Sequence, residues 1–182
     1  MFLDRDGVVV ENRAEYVRSW DEVRFLPGAF EALRELATAR WTTVLVTNQS
    51  AVGRGVMSLR RAWETNDRIV EAIRAEGGLV EATYMCPHRP DECCPCRKPA
   101  PGMLLQAASE LDLDLWASFL VGDSLTDAGA ARVAGVRPVL VLTGRGHQEE
   151  ARMIEAERAS VPVVPDLAAA VEHILVTTGV RR

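Results

Sequence analysis

Lysine is almost absent from this chain: of its 21 basic residues, only Lys98 is a lysine and the rest are arginine. Positions that need only positive charge have drifted to arginine. A lone surviving ammonium therefore marks a place that wants a compact, strongly hydrated point charge. Long apolar runs are also missing. None reaches the ~18 residues of a transmembrane helix, and charge appears by Asp4, too early for a secretory leader. The expected location is the cytoplasm. There is no excess of positive charge either. The formal net charge is −5, which argues against bulk binding to nucleic acid or to an anionic membrane, so an anionic ligand would have to meet local positive charge. Cysteine is missing from most of the chain, since all four fall between Cys86 and Cys96. A disulfide scaffold would spread them out, so the cluster points to metal or redox chemistry.

What is present suits one globular α/β domain spanning residues 1–182. Hydrophobic residues make up 48% and charged residues 26%, enough for a substantial core. Strand-like apolar runs at Phe2-Leu3, Thr43 to Val46, Ala82 to Met85, Phe119 to Val121, Val139 to Leu142 and Val161 to Val164 alternate with helical patterns. Those helices are expected at Ala29 to Ala39, Ser58 to Glu76, Met103 to Leu111, Leu125 to Ala134 and Leu167 to Ile174. Such alternation predicts a parallel sheet flanked by helices. Pro87 to Pro101 carries five prolines and reads as a loop. Only three residues precede Asp4, shorter than the five or six residues typical of a central strand, so either the start codon is placed late or this strand is truncated.

Four polar segments follow strands: Asp4-Arg5-Asp6-Gly7, Thr47-Asn48-Gln49-Ser50, Arg97-Lys98-Pro99 and Gly122-Asp123-Ser124-Leu125-Thr126-Asp127. Ligands of open parallel sheets bind beyond the carboxyl ends of the strands. Asp4 and Asp123 could converge there as a hard-oxygen site suited to Mg²⁺. A second constellation, Cys86, His88, Cys94 and Cys96 with Cys93 as a further candidate, offers thiols and an imidazole within eleven residues. That set suits a closed tetrahedral zinc site. The rival, a redox pair, lacks thioredoxin spacing. Four protein ligands leave no open position for water, so the zinc is expected to be structural, fixing a loop over about residues 86–98 that delivers Lys98.

Asp-Arg-Asp-Gly-Val after an apolar strand, then Thr47, Lys98 and Gly122-Asp123 with Asp127, resembles the four ordered motifs of the haloacid dehalogenase superfamily over about residues 2–145. The resemblance implies a Rossmann-like fold and an aspartyl-phosphate intermediate. Asp4 would be the nucleophile and Asp6 the acid and base. Thr47 and Lys98 would hold phosphoryl oxygens. Mg²⁺ would sit on Asp4, Asp123 and the backbone carbonyl of Asp6. The gaps between motifs hold no extra domain, so no large cap is expected, only a short flap and the zinc loop. Cys-Pro-His followed by Cys-x-Cys-Arg-Lys-Pro-x-Pro-Gly-Met further resembles the D-glycero-D-manno-heptose 1,7-bisphosphate phosphatases, a subfamily shared with histidinol-phosphate phosphatases. That pattern selects Cys94 over Cys93 as a zinc ligand. It also implies substrate contacts from Asn12, Tyr16, Asn48, Gln49, Ser50, Arg54 and Arg97. Two departures are Ala51, where a glycine often stands, and Ser124, where many heptose enzymes place a lysine.

The resulting expectation is a monomeric phosphatase of a small phosphorylated metabolite, with the 7-phosphate of the heptose bisphosphate as first choice. Histidinol phosphate is the alternative substrate. A zinc-stabilised binding module is the alternative class, although binding alone would not need both Asp4 and Asp6. A kinase or mutase is also compatible, since aspartyl phosphate can pass to acceptors other than water. His147 and His173 carry no role in this reading, and Gly144 to His147 reads as a turn.

Overall fold

The computed structural model describes residues 1–179. Six strands form one sheet: β1 (Phe2–Leu3), β2 (Val44–Asn48), β3 (Ala82–Cys86), β4 (Phe119–Gly122), β5 (Arg137–Val141) and β6 (Val163–Val164), in spatial order β3-β2-β1-β4-β5-β6. Every pairing is parallel. Strand order reverses direction at β1, so the crevice beyond β1 and β4 is the topological switch point where such sheets take ligands.

The helices are α1 (Ala29–Thr38), α2 (Ser50–Gly53), α3 (Leu59–Ala75), α4 (Gly102–Leu111), α5 (Leu125–Ala134), α6 (Gly146–Arg152), α7 (Glu155–Arg158) and α8 (Leu167–Thr178). Alternating side chains along the strands build two cores. Leu3, Leu45, Val121 and Val139 pack with Leu33 and Leu36 of α1, Ile69 and Ile73 of α3, and Val171 and Ile174 of α8. Phe2, Val44, Val46 and Leu120 face the other way, onto Met103 and Leu104 of α4 and Ala130 and Ala131 of α5. This is the period-2 consequence of a sheet covered on both faces.

The first strand is as short as its sequence suggests, yet it is central. Phe2 and Leu3 pair with Val44 and Leu45 on one side and with Leu120 and Val121 on the other. The Asp4 N–H continues the ladder to Val121 O at 2.9 Å, so Asp4 leaves the sheet at a fixed place. Ser58 caps α3 by accepting from the Arg61 N–H, and Gly135 ends α5 in the left-handed region that glycine reaches freely. Residues 7–28 make the flap. It is anchored by the fully buried Val8, Val9 and Val10 and by isolated bridges from Val10 to Asp6 and to Phe25.

Three helices escape the sequence reading. The first, α2, begins inside the Thr-Asn-Gln-Ser run. The other two, α6 and α7, fill the stretch after β5 and bear too few apolar residues for a helical period to show. Predicted strands and helices otherwise fall within a few residues of those observed.

Candidate active site

Asp4 follows β1 and Asp123 follows β4, and both are buried. Carboxylate oxygens of Asp4, Asp123 and Asp127 lie within 4.8 Å of one another. Asp127 reaches this cluster because α5 starts at once after the strand, in a capping box with Ser124. The ammonium of Lys98 stands 2.9 Å from Asp4 Oδ1 and 2.6 Å from Asp127 Oδ1, and it donates to Val46 O at 2.8 Å. Asn48 aligns the lysine by bridging its backbone: Nδ2 donates to Lys98 O and Oδ1 accepts from Lys98 N–H. The one lysine of the chain is therefore buried among carboxylates, as a site needing a compact ammonium would have it.

The electrostatics follow from three carboxylates sharing one cation in a desolvated place. Burial pushes Asp4 up to about 7. Lys98 opposes that rise, and the neighbouring carboxylates add to it. Burial also pushes Asp123 up to about 6, against a hydrogen bond from the Arg145 N–H. Burial alone would lower Lys98, but Asp127 and Asp4 outweigh it and hold the ammonium above its usual value. Asp123 Oδ1 is buried with no hydrogen-bond donor among the described residues. An orphaned carboxylate oxygen beside Asp4 suits a hard divalent cation. Two glycines bring backbone close: a Cβ on Gly7 or on Gly144 would overlap Asp123 Oδ2, and Gly7 sits at φ +91°.

Asp6 points elsewhere. Its Oδ1 accepts from Arg5 Nη2 at 3.0 Å. Its Oδ2 accepts from Arg5 Nε at 3.1 Å and from Gln49 Nε2 at 2.7 Å, with the Thr47 hydroxyl 3.4 Å away. Gln49 also donates to Thr47 Oγ1 at 2.8 Å.

Above these groups opens a cavity of about 680 Å³. Its floor carries Asp4, Asp6, Thr47, Lys98 and Asp127, and its walls come from the flap (Asn12, Arg13, Tyr16), the start of α2 (Asn48, Gln49, Ser50), the cysteine loop (Cys93, Arg97) and the β5–α6 turn (Gly144, Arg145). Of the residues singled out from sequence, Arg54 alone among the expected substrate contacts does not line this cavity. It is exposed at the end of α2. Tyr16 holds its place with a positive φ of 66°. The sequence reading missed Arg5, Arg13 and Arg145. Arg145 donates its N–H to Asp123 Oδ2 at 2.9 Å, and its position after a fifth strand end, between two glycines, was the available signal.

Cys86, His88, Cys94 and Cys96 form a second cluster with ligand atoms within 4.8 Å of one another. Sγ of Cys96 lies 3.3 Å from Cys86 Sγ, 3.4 Å from Cys94 Sγ and 3.3 Å from His88 Nδ1. Tetrahedral zinc with bonds of about 2.3 Å to sulfur has S···S edges of about 3.7 Å, so the donor set fits. Burial pushes the Cys86 thiol up to about 12. Burial would raise Cys94 too, but hydrogen bonds from Cys96 and Cys86 bring it down to about 7. Cys93 is exposed, in the left-handed region at φ 49°, outside this cluster. Arg97 Nη1 donates to His88 O at 3.2 Å, tying the cluster to the loop that bears Lys98. Contrary to the sequence expectation, Arg97-Lys98-Pro99 follows no strand but lies between β3 and α4, on the loop that the cysteines fold back.

Among the described residues, no helix is long and apolar enough to cross a membrane. The HAD-hydrolase-like family model matches residues 95–170. The chain is 44% identical over 177 residues to the D-glycero-β-D-manno-heptose-1,7-bisphosphate 7-phosphatase of Bordetella bronchiseptica, covering 96% of this chain and 97% of that protein. It is 41% identical over 146 residues to the enzyme of the same name from Pseudomonas aeruginosa, covering 80% and 82%. The crystal structure of D,D-heptose 1,7-bisphosphate phosphatase from B. bronchiseptica, complexed with magnesium and phosphate, superposes with a TM-score of 0.90 at 42% identity, covering 97% of this chain and 98% of that one. The chain belongs to the haloacid-dehalogenase-like phosphatases, in the family of the D-glycero-β-D-manno-heptose-1,7-bisphosphate 7-phosphatases.

Proposed function

We propose that this protein removes the 7-phosphate of D-glycero-β-D-manno-heptose 1,7-bisphosphate through a phosphorylated Asp4. The observation that carries the reading is the cluster of Asp4, Asp123 and Asp127 around the buried Lys98, at the floor of an open cavity on the switch-point crevice. The match to named 7-phosphatases along nearly the whole chain supports the substrate.

In this mechanism a carboxylate oxygen of Asp4 forms a bond to phosphorus while the ester P–O bond breaks. The departing sugar oxygen takes a proton from Asp6. Water then attacks the aspartyl phosphate and gives its proton to Asp6, restoring both residues and releasing phosphate and the alcohol. Lys98 and Thr47 hold the phosphoryl oxygens as charge moves across them. Mg²⁺, held by Asp4, Asp123 and the backbone carbonyl of Asp6, would offset repulsion between these carboxylates and the anionic phosphate. Zinc on Cys86, His88, Cys94 and Cys96 would act structurally, fixing the loop that presents Arg97 and Lys98.

Asn12, Tyr16, Ser50 and Arg97 are assigned to the rest of the sugar. Arg54 is left out because it lies off the cavity, and Asn48 and Gln49 because their amides are committed to Lys98 and to Asp6 and Thr47. The reading is of a single-domain enzyme acting as a monomer. A cluster of reduced thiols suits the cytoplasm. The test is phosphate release from the heptose bisphosphate with and without Mg²⁺, beside histidinol phosphate. Strong preference for the bisphosphate and loss of turnover in Asp4→Asn are expected. Preference for histidinol phosphate would overturn the substrate, and substantial steady-state turnover in Asp4→Asn would overturn the mechanism.

A further inference from the structure

Arg5 is an unusual residue to find where it is. It is fully buried, it does not line the cavity, and its Nη1 has no acceptor among the described residues. A buried arginine costs desolvation, and pairing it with a carboxylate returns little net stability. Among the described residues its only side-chain partner is Asp6, gripped through Nε and Nη2 at 3.1 and 3.0 Å in a two-point fork. Gln49, also buried, closes the grip from the opposite strand end. Both hydrogens of its amide are spoken for, one by Asp6 Oδ2 and one by Thr47 Oγ1. The reverse amide orientation would set Oε1 against the carboxylate, so the assignment follows from the network.

We infer that Arg5 and Gln49 are positioning residues that clamp Asp6 for the reaction, and that Gln49 acts through it rather than on substrate. The inference rests on the acid/base role proposed for Asp6. Four donors fix the Asp6 carboxylate in rotation, with Oδ2 engaged by Arg5, Gln49 and the Thr47 hydroxyl. Oδ1 accepts from Arg5 alone among the described residues and keeps a lone pair, and the side chain remains 21% exposed. Oδ1 is thus the oxygen that carries the proton to the departing sugar oxygen and later receives one from water. The Thr47 hydroxyl, which accepts from Gln49, itself donates to Asp6 Oδ2 at 3.4 Å and so completes the grip on that oxygen. The cluster of Asp4, Asp123 and Asp127 is built without either clamp residue. Loosening the clamp should therefore damage proton transfer while sparing attack on phosphorus.

Leaving-group dependence separates the two steps. The sugar oxygen needs a proton to depart, whereas p-nitrophenolate does not. Gln49→Met keeps side-chain length without the amide, and Arg5→Lys keeps the buried charge without the fork. In rapid-quench experiments with Mg²⁺, both variants should form the phosphoenzyme from the sugar phosphate about 10²-fold more slowly, the scale of a misplaced general acid. The burst from p-nitrophenyl phosphate and the KM for the sugar phosphate should change little. Equal losses on both substrates, or a raised KM with unchanged kcat, would overturn the clamp, the latter making Gln49 a substrate contact. Asp6→Asn is run beside them. If it too shows no leaving-group bias, the acid/base reading of Asp6 fails and the clamp falls with it. If it shows the bias and the two variants do not, the clamp alone fails.

Discussion

Replacing Lys98 by methionine keeps the length of the side chain and removes its charge. The ammonium touches Asp4 Oδ1, Asp127 Oδ1 and the Val46 carbonyl, and only 2% of the side chain is exposed. Without it, three carboxylates within 4.8 Å face one another with only the half-exposed Arg145 guanidinium, 3.7 Å from Asp123 Oδ1, at their edge. Breaking a buried ion pair by removing one partner costs about 3–5 kcal/mol. For a chain of this size that lowers the melting temperature of metal-free protein by roughly 6–20 °C. The loss should depend on pH. With Lys98 gone, the carboxylates titrate still higher in the folded state, so the folded state binds more protons than the unfolded one, and stability recovers as pH falls. Asp127→Asn added to Lys98→Met removes one uncompensated charge and should restore part of the loss, although Asp127→Asn alone should destabilise. Circular-dichroism melts in EDTA at about pH 7 and about pH 5 would read all of this. A Lys98→Met protein that melts with the parent at the higher pH, or a double variant weaker than the sum of its parts, would refute the electrostatic account.

The same linkage governs the metal. Burial raises Asp4 to about 7 and Asp123 to about 6, so metal-free protein should lose stability as pH rises from the unfolded carboxylate range through those values. Mg²⁺ should then raise the melting temperature more at high pH than at low, and a pH-independent gain would argue against ligation by these two groups. For zinc, elemental analysis should find about one ion per chain, the number one closed four-ligand site holds. Cys94→Ser should lose that ion while Cys93→Ser keeps it. Gly7→Ala should abolish Mg²⁺-dependent turnover, because its new Cβ must displace the Asp123 carboxylate and its φ is unfavourable for alanine; near-normal activity would mean the crevice is softer than it looks. Arg97→Ala should harm turnover of the bisphosphate more than that of a simple monoester, and equal harm would move Arg97 to the reacting phosphate.

Legibility in the sequence followed the physics. The sheet was readable because strands covered on both faces are continuous apolar runs, and Asp4 and Asp123 were readable because each directly follows one. Lys98 stood out by the scarcity of lysine and the cysteine cluster by its spacing. The partners of those groups were not readable. Asp127 was singled out beside Asp123 by the motif resemblance, but its pairing with Lys98 depends on α5 beginning at once after β4 and does not show in the sequence. Gln49 looks like a loop amide offered to substrate, and only the fold shows both its hydrogens turned inward. Arg5 lies between two aspartates and would pass for a solvated charge, while its burial depends on the flap closing over it. Arg145 comes, with Gly144, from a turn whose place on the crevice is set by β5.

An acidic protein that must hold an anion distributes its charge in layers. The floor of the crevice carries four carboxylates, Asp4, Asp6, Asp123 and Asp127, and two cations committed to them, Arg5 and Lys98, with the Arg145 guanidinium 3.7 Å from Asp123 at the edge. The carboxylates still outnumber these cations, which disfavours a phosphate at this range. A divalent cation offsets that excess, so binding of metal and of phosphate should be cooperative, each favouring the other. The remaining positive charge, Arg13 and Arg97, sits on the walls, where it can meet an anionic group at a distance from the reacting phosphorus. This order explains why a chain with a net charge of −5 needs no basic surface. It also explains why its one lysine lies at the bottom of the site while arginines line the mouth: the ammonium fits among carboxylates as a point charge, and the guanidinium forks suit the oxygens of a ligand that arrives from solvent.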